Sequence, residues 1–131
     1  MRIGILTLCL LCFAICASGQ DTPEHPIDIE LSNCLAENET TLSMLQCYDV
    51  AYQKWDAELN KAYKEAMKVL SPEGKKLLKS AQLKWLSWRD EEVKLMGQMQ
   101  IQLEGTMYKP MMADKRLTMV RQRTLQLQDH A

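Results

Sequence analysis

At 131 residues the chain allows one domain, with a core of modest size once a leader is removed. A formal net charge of −1 excludes bulk attraction to nucleic acid. The charge is uneven, however: Asp21 to Leu70 holds 10 acidic and 4 basic residues, Ser71 to Ala131 holds 7 and 11, so the two parts carry about −6 and about +4. Such a split helps antiparallel helices attract one another, and it also leaves an acidic face for a cationic partner.

Residues 1–19 have the pattern of a secretory signal peptide. Arg2 supplies the positive start, Ile3 to Ala17 the apolar run, and Ala17-Ser18-Gly19 the small residues a signal peptidase reads. The run is shorter than the roughly 20 apolar residues of a membrane helix, so no stable membrane insertion is expected after cleavage. Export to the periplasm or the medium follows. Cys9, Cys12 and Cys16 belong to the leader, which leaves Cys34 and Cys47. Two cysteines in an exported domain read as one disulfide. The alternative, a two-thiol metal site, lacks the CxxC spacing and a nearby histidine.

Residues 20–33 read as a flexible N-terminal arm, with two prolines before Ile27 and a short helix or irregular segment from Ile27 to Leu35. Asn38-Glu39-Thr40-Thr41 breaks the chain; its first three residues match an N-glycosylation pattern that often arises by chance. From about Thr41 to Leu70, the positions Leu45, Tyr48, Tyr52, Trp55, Leu59, Tyr63, Ala66 and Leu70 keep a three-four alternation, the mark of an amphipathic helix. Ser43 with Gln46, or Thr41, is expected to cap it. Ser71 and Pro72 supply the N-cap and first position of a third helix running to about Glu104, an antiparallel neighbour of the second. Gly105-Thr106 breaks that helix, and Thr106 is expected to cap a last one reaching about Gln126, with Ala113, Leu117, Val120, Thr124 and Leu127 inward. The fold class is therefore all-α: a small antiparallel bundle of three main helices with a short N-terminal helix or arm.

Ala81 to Asp90 concentrates two tryptophans, an amide and an Arg-Asp pair on one helical stretch. Leu78, Ala81, Trp85 and Trp88 form an apolar stripe, which predicts that this helix is the central strut. Folding the second and third helices about Ser71-Pro72 places Asn60 level with Trp85, Tyr63 with Gln82, and Asp56 with Arg89. An amide network between the helices is the expected use of these groups, with Arg89 reaching Asp56. No catalytic set emerges: His25 and His130 fall in predicted loose ends, and no glycine-rich phosphate loop or free cysteine is present. The methionines Met96, Met99, Met107, Met111, Met112 and Met119 read first as core filler. A plastic binding surface or a Cu(I) ligand set are the other readings.

Several short patterns then occur in order: Cys34 and Cys47 around Thr41, Leu59-Asn60-Lys61-Ala62-Tyr63, Ala81-Gln82 with Trp85, Arg89-Asp90, Gly105-Thr106-Met107, Pro110-Met111, and Arg121-Gln122-Arg123-Thr124 with Leu127. In these the chain resembles the LprI-type lysozyme inhibitor family, a small exported bacterial module, and residues 34–128 form the matching domain. Val93 and Lys115 stand where the family commonly has a second pair of cysteines. The resemblance implies a binding protein and not an enzyme, without cofactor or metal, that blocks the cleft of a lysozyme-like muramidase. It marks Leu59, Asn60, Tyr63, Gln82, Trp85, Arg89, Asp90 and Arg123 as signature positions, mostly structural, with partner binding as the second role. Glu37, Glu39, Asp49, Glu58 and Glu65 are the acids expected to face a cationic partner. The competing function is an envelope structural or stress protein, or an immunity partner of another toxin.

Overall fold

The computed structural model describes residues 24–102 and 105–131, so the signal-peptide reading of residues 1–19 and the start of the arm lie outside the described residues. All regular elements among the described residues are helices: α1 (Pro26–Glu37), α2 (Thr41–Val69), α3 (Pro72–Gln102) and α4 (Tyr108–Gln128). From Pro26 onward the expected arm is thus a helix. His25 starts it, its Nδ1 accepting from the Ile27 N–H at 3.2 Å, and Pro26 takes the first position, where its missing N–H is harmless. Asn38 ends it, its side-chain amide donating to the Cys34 carbonyl at 2.8 Å.

Thr40, rather than Thr41 or Ser43, opens α2 by accepting from the Ser43 N–H at 3.1 Å. Cys34 and Cys47 are joined in a disulfide that clips α1 to the first turns of α2. Ser71 accepts from the Gly74 N–H at 3.2 Å and starts α3 as expected. Gly105 has φ 104°, a left-handed conformation that disfavours a side chain, and it turns the chain from α3 to α4. Thr106 contributes its carbonyl to the Lys109 N–H, and no side chain caps α4.

The centre of the molecule is α2 against α4, with α1 docked on α2. On α2 the fully buried stripe is Cys47, Ala51, Trp55, Leu59, Ala62 and Ala66. It is rotated from the predicted face, so Tyr48, Tyr52 and Tyr63 flank the core half-buried. Alanines at the centre let α4 approach closely, while the rings close the margins. Leu117, Val120, Thr124 and Leu127 meet them from α4, and the Thr124 hydroxyl is satisfied by the Val120 carbonyl at 2.9 Å.

The third helix is not the central strut. It buries only Leu78 and Met96; Trp85 is half-buried, and Trp88 is 49% exposed. Its inward line runs Leu78, Gln82, Trp85, Arg89, Val93, Met96, so polar residues occupy places where the apolar stripe expected Ala81 and Trp88. The cause is a partner for the polar group: Gln82 turns inward to meet Arg123 of α4. Although consecutive in sequence, α2 and α3 do not pack closely; α3 leans on α4 and leaves a groove beside α2.

Candidate functional site

The groove between α2 and α3 has a volume of about 550 Å³. From α2 it is walled by Tyr52, Asp56, Leu59, Asn60 and Tyr63, and from α3 by Lys79, Gln82, Leu83, Leu86 and Arg89. Five of the eight signature residues are therefore lining residues: Leu59, Asn60, Tyr63, Gln82 and Arg89. The other three act on that lining. Arg123 donates from Nε to the Gln82 Oε1 at 2.9 Å, Asp90 accepts from Arg89 Nε and Nη2 at 3.0 and 2.8 Å, and the Trp85 ring lies 5.5 Å from the Arg89 guanidinium. Partial burial pulls Arg123 below the ordinary arginine pKa.

The predicted cross-helix amide network is absent. Asn60 folds onto its own helix, donating to the Asp56 carbonyl at 2.8 Å, and Arg89 takes Asp90 rather than Asp56. Among the described residues no hydrogen bond spans the groove from α2 to α3. Tyr63 and Gln82, and Asp56 and Arg89, nevertheless line the same cleft, as the folding of the two helices about Ser71-Pro72 requires. The walls combine aromatic and aliphatic surface with an acid, two cations and two amides.

The expected partner-facing acids are not one patch. Glu58 and Glu65 pair with Lys61 and Lys68 at 3.6 and 2.7 Å, and Asp49 accepts from Gln53. By the roughly 3.6-residue helical period Asp49 points away from Glu58 and Glu65. Glu37 and Glu39 are exposed at the α1–α2 corner.

A second cluster escaped sequence reasoning. Asp28 accepts from Arg121 Nε at 2.8 Å and from the indole N–H of Trp55 at 3.1 Å, while the His25 ring lies 4.3 Å from the Trp55 ring. One carboxylate thus links α1, α2 and α4. His25 is accordingly anchored, not in a loose end. The available signal was Asp28 itself, an acid in the first turn after a helix-starting proline. Further along α4, the Arg116 guanidinium lies 3.9 Å from the centre of the Tyr52 ring, bracing one lining residue from behind. Among the described residues no group of three His, Cys, Asp or Glu side chains could hold a metal ion, and no helix is long and apolar enough to cross a membrane.

The family model for the lysozyme inhibitor LprI matches residues 32–127, most of the chain and all four helices in whole or part. The chain belongs to the LprI lysozyme inhibitor family. A similar solved structure is the crystal structure of an uncharacterized protein from Burkholderia thailandensis, with 34% identity and a TM-score of 0.77. The match covers 82% of this chain and 53% of that one, so the chain spans about half the length of that relative. No curated protein matches the chain. The family takes its description from a lysozyme inhibitor. The groove is thus the place where this LprI chain gathers its signature residues.

Proposed function

We propose that the chain is an exported, non-catalytic inhibitor of lysozyme-type muramidases that docks on its target through the α2–α3 groove and occludes the enzyme's cleft. The observation that carries this reading is the convergence of the eight signature residues: each either lines the groove or holds a residue that does. Of the eight, Leu59 alone is buried in the α2–α4 core, and Tyr63 and Trp85 pack at its margin. Tyr52, Tyr63 and Arg89 are residue types that dominate binding at protein interfaces, and Leu83, 59% exposed, adds apolar surface. Export rests on the leader pattern of residues 1–19.

The groove itself is not acidic, since Lys79 matches Asp56 and Arg89 is paired with Asp90. Attraction to a basic muramidase comes instead from the acids elsewhere in the first half, of which Glu37, Glu39 and Asp49 are exposed and have no ion-pair partner among the described residues. Acids placed there steer the encounter more than they hold the complex. The test is clearing of a peptidoglycan suspension by a panel of lysozyme-type muramidases with and without the mature protein. Slower clearing at stoichiometric protein supports the reading. Undiminished clearing by every enzyme returns the chain to the envelope-protein alternative.

A further inference from the structure

At the far end of α3, away from the α2–α3 groove, Met96, Met99, Met112 and Met119 line a second cleft of about 480 Å³, with Trp88 on its wall. Met96 and Met99 lie one turn apart on α3, and Met112 and Met119 two turns apart on α4, so two facing helices contribute two thioethers each. Met96 and Met112 are buried, whereas Met99 is exposed and Met119 half-buried. The hydrophobic core built on α2 and α4 includes none of the four. Met96 and Met112 are each 7% exposed, yet they border open space on two sides, because both also line a neighbouring cleft of about 340 Å³. Met99 is 43% exposed at the mouth.

We propose that this cleft is a binding site for a soft monovalent metal ion, Cu(I) or its analogue Ag(I), ligated by thioethers of Met96, Met99, Met112 and Met119. Thioether sulfur is a neutral, polarisable donor that selects soft ions, whereas zinc and harder divalent ions need thiolate, imidazole or carboxylate. Among the described residues no group of three such donors could hold a metal ion, and the four methionines share one cleft. Unbranched methionine side chains with three rotatable bonds can adapt their sulfur positions to a bound ion. The Trp88 face provides an aromatic wall for a bound cation. Glu92 and Asp114 at the same cleft outweigh the charge of Lys115 and leave the rim mildly negative.

The test uses the mature protein with its disulfide intact, confirmed by a thiol assay that finds no free cysteine. Cu(I) is generated anaerobically with ascorbate, which leaves the disulfide oxidised, and is offered in competition with a chromogenic Cu(I) chelator; Ag(I) and Zn(II) are run in parallel. The expected result is one Cu(I), or one Ag(I), withdrawn per chain and no Zn(II). Met99→Leu and Met119→Leu should each weaken retention by about tenfold or more, a loss comparable with removing a supporting partner from a metal site. Leucine nearly conserves the volume, so the melting temperature should hold. Met99, at the mouth, gives the variant least able to disturb folding. No Cu(I) uptake, uptake unchanged in both variants, or equal uptake of Zn(II) would each overturn the proposal.

Discussion

Asp28 receives the Arg121 guanidinium and the Trp55 indole N–H together, and its side chain is 15% exposed. Asp28→Ala leaves a buried donor on Trp55 without a partner, which costs about 1–3 kcal/mol. Arg121 is more exposed, so loss of the ion pair adds little beyond that. Asp28→Asn keeps an acceptor for Trp55 and should cost less, as urea denaturation of the two variants will show. The three tryptophans make a graded series at the same scale. Trp55 has no exposed surface, and Trp55→Ala should cost about 3–5 kcal/mol, enough to unfold a marginal domain. Trp85→Ala should cost roughly half as much, because the ring is half-buried. Trp88→Ala should cost less than Trp85→Ala, because the Trp88 ring is 49% exposed. An equal cost at Trp85 and Trp55 would contradict the assignment of α2 as the central helix.

Element boundaries were largely legible in the sequence because they rest on local chemistry: Ser71-Pro72 starts α3, Gly105 ends the hairpin turn, and the Cys34–Cys47 pairing needs only two cysteines in an oxidising compartment. Which element sits in the middle was not legible. Periodicity reports that a helix has an apolar side, not which neighbour covers it, and the Trp85-Trp88 stripe pointed to α3 for that reason. The true inward line of α3 contains Gln82 and Arg89, and the Arg123 contact that fixes Gln82 spans a distance in sequence no local pattern encodes. Five of the signature residues line one groove, but the hydrogen bonds expected between α2 and α3 are replaced by an open cleft. Amide exchange checks the resulting hierarchy. Protection should be highest in the centres of α2 and α4, and lowest in the second half of α3, which buries Met96 alone. Reduction of the disulfide should lower stability by about 3 kcal/mol on the chain-entropy view and release α1 first.

At the scale of the molecule, the acidic first half and basic second half are partly consumed in building the fold. Arg121 and Asp28 join α4 to α1, while Lys61 and Lys68 cover Glu58 and Glu65 within α2. What remains for a partner is a groove of mixed polarity and a few outlying acids. If those acids steer association, raising salt or replacing Glu37, Glu39 and Asp49 by their amides should slow binding to a basic muramidase several-fold and change dissociation little. Surface-immobilised kinetics separates the two rates. The central claim, that the α2–α3 groove is the docking surface, is tested most directly by Leu83→Glu. Leu83 lines the groove, is 59% exposed and belongs to no buried cluster, so a charge there should leave folding intact. Inhibition of a muramidase that the wild-type protein blocks should be lost in Leu83→Glu at an unchanged melting temperature. Full inhibition by a folded Leu83→Glu protein would contradict the assignment of the groove.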